Sequence, residues 1–257
     1  MGVTIDDRGA LLVVTLDRAG KRNALTRAML ERLGEIFSGV RGRGDLRAVI
    51  LTGAGREAFC AGTDITELAA LDEAGARETS RRGQEVCDAI ELCNVPVIAA
   101  VNGTAAGGGC ELALACHLRV AARGAKFSLP ETKLGVLPAY GGTQRLARAL
   151  GAGRALAAML AGDALAADEA LRLGVVNRVA EPDQLMAEAE SLAAAVSEHA
   201  PLAVRACLEA VTRGLRLPLA EGLALEAELF ARLFATADVR EGTRAFLEKR
   251  APNFQGK

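Results

Sequence analysis

Residues Val95 to Cys116, VPVIAAVNGTAAGGGCELALAC, constrain the fold more than any other stretch of the chain. The β-rich apolar run containing Val95, Val97, Ile98 and Val101 predicts a buried strand that stops at Asn102-Gly103. After a short loop, Gly107-Gly108-Gly109 leads into Glu111 to Cys116, where Leu112 and Leu114 among alanines predict a buried helix. A strand, a glycine turn and a helix start leave backbone N–H groups without intrahelical acceptors, at the end where the macrodipole favours negative charge. No Lys-Ser or Lys-Thr follows the triplet, and the spacing G-x-G-x-x-G fails at Leu112, which disfavours a nucleotide phosphate site. What remains is a receptor for a transient oxyanion. Glu111 adds a carboxylate in the first turn of an otherwise apolar segment. Two readings stand open: a reactive carboxylate beside an oxyanion receptor, or glycines that permit close packing with a glutamate that complements the helix dipole.

The chain has 257 residues, 51% of them hydrophobic and 25% charged, which suits one large domain, alone or with an appendage. Its net charge of −1 gives no global field toward nucleic acid or an anionic membrane. No apolar run approaches the ~20 residues that span a bilayer. The N-terminus has acidic residues and no basic-then-apolar sequence, against a secretory signal. Cys60, Cys87, Cys93, Cys110, Cys116 and Cys207 are scattered in apolar surroundings without a C-x-x-C pair, which predicts reduced buried thiols in a cytoplasmic protein. His117 beside Cys116 reads as a structural neighbour, and no metal site is expected.

In chain order, Val3 to Ile5 and Leu11 to Leu16 flank Asp6-Asp7-Arg8-Gly9 and predict a hairpin. Thr26 reads as the N-cap of a helix through Val40, with Met29, Leu30, Leu33, Ile36 and Phe37 on its core face. Ala48 to Thr52 predicts a second buried strand. Phe59 to Asp64 reads as a loop of small residues, a second source of bare N–H donors, before a helix starting near Asp64. A long charged helix is expected from Ala74 to Leu92, and short strands from Leu118 to Ala122 and Ala125 to Ser128. Glu131, fixed by Pro130 and followed by a mostly apolar segment, is either an acid with a desolvated carboxyl or an exposed turn glutamate paired to Lys133. Helix follows helix from Ala152 onward, interrupted by one predicted strand, Val175 to Val179. An α/β core over residues 1–200 with a helical part over 201–257 is the expected organisation. Leu219, Leu223, Leu225, Leu229, Phe230, Leu233 and Phe234 give that part more apolar surface than a free tail would expose, which predicts packing against another subunit.

Taken together these segments resemble the enoyl-CoA hydratase/isomerase family, the crotonases, and within it the hydratase type. The resemblance is carried by Arg22-Asn23-Ala24-Leu25, Ala58-Phe59-Cys60-Ala61-Gly62, Pro96 to Gly103, Gly107 to Ala113, Pro130-Glu131, Gly141 to Leu146 and Glu248-Lys249-Arg250. It implies a crotonase-like spiral of ββα turns, with C-terminal helices that build homotrimers or dimers of trimers. It also implies that the N–H groups of Thr63 and Gly108 grip the thioester oxygen of an acyl-coenzyme A, that Glu111 activates water for C3, and that Glu131 delivers a proton to C2. Coenzyme A is then part of the substrate, with no separate cofactor. The substrate would meet Ala24, Ala61, Asp64, Ile65, Thr66, Pro130, Ala139 and Tyr140, with Phe246 and Lys249, from this or a neighbouring subunit, at the nucleotide end.

Three positions depart from the family pattern. Thr63 stands where a small residue is usual, Thr66 where relatives carry lysine, and Ala139-Tyr140 replaces a more glycine-rich pair. Tyr140, the only tyrosine, is either a selector among acyl groups or a half-buried filler. Competing functions are double-bond isomerisation, which usually needs one carboxylate, and a non-catalytic acyl-CoA-binding or RNA-binding role. A serine hydrolase is a further alternative, but it lacks G-x-S-x-G.

Overall fold

The computed structural model describes residues 2–257. The hairpin expected at the start is present as β1 (Val3–Asp7) and β2 (Leu11–Leu16), paired antiparallel. The Thr26 hydroxyl accepts the Met29 N–H and starts α1 (Arg27–Val40), whose Met29, Leu30, Leu33, Ile36 and Phe37 lie in the core as their spacing requires. β3 (Ala48–Gly53) is buried at every position.

Next come β4 (Ala58–Cys60), α2 (Ile65–Ala69), α3 (Glu73–Glu91), β5 (Val97–Val101), β6 (Thr104–Ala106), α4 (Gly108–Ala115), β7 (Leu118–Ala122) and β8 (Lys126–Ser128). A 3-10 turn at Glu131–Leu134 precedes α5 (Gly142–Leu150), α6 (Ala152–Ala161), β9 (Leu165–Ala166), α7 (Ala167–Arg172), β10 (Arg178–Ala180) and α8 (Leu185–Ser197). The chain ends in α9 (Pro201–Gly214), α10 (Leu219–Leu233) and α11 (Ala237–Glu248).

The strands form two sheets, in the orders β1-β2-β3-β5-β7-β10 and β4-β6-β8-β9. Three times in succession the chain lays a strand in the large sheet, then one in the small sheet, and then turns helical: β3-β4, β5-β6 and β7-β8. This is the ββα spiral. Because β4, β6 and β8 are parallel neighbours, the segments that leave their carboxyl ends emerge side by side. Those segments carry Thr63, Gly108 and Glu131, so topology alone brings residues from distant parts of the chain to one edge, where ligands of parallel sheets commonly bind.

The structure corrects the sequence reading in four places. Phe59 and Cys60, read as loop, belong to the strand Ala58–Cys60, and Thr104–Ala106 is a strand rather than loop; at three residues each they are too short to show a period. The strand expected at Val175 to Val179 is Arg178–Ala180; Val175 and Val176 are buried, but their N–H groups bond to the Ala170 carbonyl rather than to a ladder. Cys207 is exposed, whereas the other five thiols are buried. Lys133 donates to the Gly162 carbonyl at 3.2 Å, so the exposed Glu131–Lys133 pair is not formed. His117 spends both ring nitrogens on backbone, Nδ1 accepting from Val97 and Nε2 contacting the Glu91 carbonyl.

Asn23 ties the loop before α1 to the small sheet. It is buried at φ 57°, a left-handed conformation that asparagine tolerates better than most residues. Its Oδ1 accepts the Arg18 N–H at 2.9 Å, and its Nδ2 donates to the carbonyls of Ala54 and Ala58 at 2.9 and 2.8 Å. Asn23→Ala strands the Arg18 donor and the Ala54 acceptor and is expected to cost about 3 kcal/mol of stability, at roughly 1–3 kcal/mol per orphaned buried group. Thermal denaturation would read this as a midpoint lowered by roughly 6–12 °C; an unchanged midpoint would refute the clasp.

Candidate active site

Thr63 follows β4 and pairs with Leu25 in an isolated parallel bridge. That bridge uses the Gly62 carbonyl and the Asp64 N–H, and leaves the Thr63 N–H without a protein acceptor among the described residues. Gly108 opens α4, where the first N–H groups have no intrahelical partner, and its own N–H is likewise untaken. The two segments touch: a Cβ on Gly62 would lie 3.0 Å from the Ala106 carbonyl oxygen and 3.5 Å from the Gly108 nitrogen.

Each glycine of the triplet meets a different demand. Gly107 takes φ 51°, which turns the chain from β6 into α4. A Cβ on Gly109 would lie 2.3 Å from the Cys60 carbonyl oxygen, so close packing is also part of the answer. At Gly108 an added Cβ would meet the Tyr140 ring at 2.8 Å.

Glu111, one turn into α4, is 1% exposed. Its Oε1 accepts two backbone N–H groups, from Tyr140 at 2.8 Å and Gly142 at 2.6 Å, at the start of α5. Burial pushes its pKa up to about 7, against the lowering effect of the two N–H donors. Glu131 sits in the 3-10 turn behind Pro130. Desolvation raises its pKa too, and its buried Oε2 has no hydrogen-bond partner among the described residues. Among the described residues the two carboxyls thus differ in their surroundings: Glu111 Oε1 holds two N–H donors, whereas Glu131 Oε2 holds none.

One cavity of about 360 Å³ has Thr63, Gly108, Glu111 and Glu131 in its wall. The arrangement can stabilise a developing oxyanion on backbone N–H groups and move protons at two positions beside it. A larger cavity, about 930 Å³, opens beneath α9 near His117, Arg145 and Leu208, and none of those four residues lines it.

A family model described as enoyl-CoA hydratase/isomerase matches residues 6–257. The chain belongs to this family. It is similar to the short-chain-enoyl-CoA hydratase of Clostridium acetobutylicum, 40% identical over 248 residues that cover 96% of this chain and 95% of the relative. The crotonyl-CoA hydratase of Syntrophomonas wolfei is 40% identical over 255 residues, covering 99% and 98%. The crystal structure of an enoyl-CoA hydratase from Bacillus anthracis superposes with a TM-score of 0.96 at 38% identity, covering 100% of both chains.

In this family member, Ala61, Ile65, Pro130, Ala139 and Tyr140 line the same cavity as the two glutamates. Ala24, Asp64, Thr66, Phe246 and Lys249 lie outside its wall. Asp64 caps α2 by accepting the Thr66 N–H and pairs with Arg18 at 3.0 Å, which holds its carboxyl below the usual range. Phe246 is 83% exposed at the end of α11, and Lys249 forms the left-handed cap of that helix.

The sequence reading missed the apolar wall of Leu68, Leu71, Leu134, Val136 and Leu137, since leucines and valines near a turn carry no mark of a ligand. It also missed Gly83. A Cβ there would fall 2.0 Å from the Tyr140 ring, so α3 keeps a glycine where the tyrosine seats.

Proposed function

We propose that the chain adds water across the 2-trans double bond of an enoyl-CoA thioester to give a 3-hydroxyacyl-CoA. The observation that carries this reading is the single cavity wall shared by two untaken amides and two carboxyl groups of unlike surroundings. The N–H groups of Thr63 and Gly108 hold the thioester oxygen as it gains enolate charge, a donor of this kind contributing roughly 3 kcal/mol to the barrier. Glu111, anionic, takes a proton from water as the oxygen bonds to C3. Glu131, protonated, gives its proton to C2, and solvent exchange returns both carboxyls to their starting states. Water, thioester and two proton transfers balance without a metal ion or redox cofactor, and coenzyme A is the handle of the substrate.

Retention of two carboxyl groups favours hydration over double-bond isomerisation. Loss of the ultraviolet absorbance of crotonyl-CoA, with 3-hydroxybutyryl-CoA as product, tests the reading; a folded protein that leaves the absorbance unchanged would refute it.

Among the described residues, the charged side chains in the cavity wall are Glu111 and Glu131, both acidic. An acyl group ending in a carboxylate would be buried there without a cation, at an expected cost of several kcal/mol. Neutral aliphatic enoyl-CoAs are therefore expected to exceed dicarboxylic ones of equal length by at least about 30-fold in kcat/KM. Equal values would refute an uncharged acyl site.

The reading extends to assembly and location. Phe230, Phe246 and Leu247 are exposed on α10 and α11, which supports a homotrimer or dimer of trimers in which Phe246 and Lys249 reach the nucleotide end of a bound acyl-CoA, on this or a neighbouring copy. Free thiols support a reducing, cytoplasmic setting. Light scattering that gives the mass of one chain would refute the assembly.

A further inference from the structure

Tyr140 touches every group in the proposed chemistry except Glu131. Its hydroxyl and the Thr63 Oγ1 are 2.8 Å apart, on the residue whose N–H is one oxyanion donor. The edge of its ring lies where a Cβ on Gly108, the other donor, would sit 2.8 Å away. Its own N–H donates to Glu111 Oε1.

The tyrosine is itself held from several sides. Gly83 of α3 leaves room for one edge of the ring. The Arg145 guanidinium donates to the Tyr140 carbonyl at 3.0 Å, and Ser80 and Gln84 donate to the carbonyl of Ala139 just before it. Arg145 is anchored in turn by Asp88 and Glu91 of α3. A filler would need only the shape of the ring. Here the 3% exposed phenol also bonds to a polar partner, the Thr63 hydroxyl.

The geometry points to Tyr140 as a positioning residue that, through its hydroxyl bond to Thr63, holds the Thr63 N–H in register with the Gly108 N–H for the thioester oxyanion. The pair at 63 and 140 acts as one unit: the threonine adds a hydroxyl at the donor, and the tyrosine fixes it. This rests on the hydratase reading above.

Two measurements test it. In the first, Tyr140→Phe, which keeps the ring and removes the hydroxyl, is expected to lower kcat for crotonyl-CoA roughly 10-fold with KM changed less than about twofold, because alignment of an oxyanion donor acts on the transition state. Thr63→Val is expected to give a similar loss, the double variant no more than either single one, and Thr63→Ser to recover most of what Thr63→Val loses. In the second, which involves no turnover, each variant is titrated with butyryl-CoA and with acetoacetyl-CoA, whose enolate carries the oxyanion and is followed by its own absorbance. Tyr140→Phe is expected to weaken the enolate roughly 10-fold and leave butyryl-CoA unchanged. Losses that add in the double variant, an unchanged kcat, or equal weakening of both ligands would overturn the inference, with thermal midpoints checked so that a general loss of structure is not mistaken for misalignment. Failure of the wild-type protein to hydrate crotonyl-CoA would instead strike the hydratase reading, while the enolate titration would still report on the two amides.

Discussion

Glu111→Gln is expected to lower kcat for enoyl-CoA hydration by 100-fold or more, the order that a positioned general base contributes. The substitution is close to isosteric, and the new amide oxygen can still accept the Tyr140 and Gly142 N–H groups that now bond to Oε1. Structure is thereby kept while the proton acceptor is lost. The wild-type pH profile follows from the same carboxyl. As a base it must be ionised, and burial raises its pKa from 4.5 to about 7, so kcat/KM is expected to fall as pH drops below about 7.

The stability effect runs in the opposite direction. Between about 4.5 and about 7 the folded protein keeps a proton on Glu111 that the unfolded chain has released, so folding binds protons and stability declines as pH rises through that window. Glu111→Gln removes this penalty and is expected to be at least as heat-resistant as the wild type at pH 8, though nearly inactive. A variant that hydrates within tenfold of wild type, or that unfolds at a clearly lower temperature, would contradict the account of Glu111 as a strained functional carboxylate.

The parts of this site legible in the sequence are those written locally. In Val97 to Glu111 the first strand, the glycine turn and the helix start are all local, and periodicity with glycine chemistry suffices to place free amides beside a carboxylate. Thr26 and the stripe from Met29 to Phe37 are legible for the same reason, because a helix joins residues three and four apart. Most of the small sheet is not legible. Ala58–Cys60 and Thr104–Ala106 are each three residues long and join the strand legible at Lys126–Ser128 in a sheet only when stacked by successive turns of the spiral.

The tightest couplings of the site have the same non-local character. The Thr63–Tyr140 bond joins residues 77 positions apart, and the Glu111–Gly142 bond residues 31 apart. Gly83 gives no sign in a charged helix that its missing side chain is the seat of an aromatic ring. Of the two readings of the glycine triplet, packing explains Gly109, while Gly108 keeps both a close neighbour and an untaken N–H. The residue types at the site could therefore be read from the chain, whereas what holds them in place could not.

Glu131→Gln is expected to lower hydration by a further route, again by about 100-fold or more, because an amide cannot supply the proton that C2 must receive. The two glutamates are distinguishable by their surroundings. Glu111 offers an oxygen already loaded with two donors, whereas the Oε2 of Glu131 is buried with no partner among the described residues, and desolvation raises the pKa of its carboxyl. A reaction confined to C2 separates them further. In deuterated water, exchange at C2 of the saturated ligand butyryl-CoA requires Glu131 and the two amides, but no water at C3. Glu131→Gln is expected to suppress that exchange by about 100-fold, whereas Glu111→Gln is expected to retain most of it. If the two variants lost exchange equally, the division of labour between the carboxyls would be wrong, even with both proved essential for hydration. If Glu111→Gln alone abolished it, the roles assigned here would have to be reversed, and the orphaned oxygen of Glu131 would then mark the site of the water rather than the source of the proton.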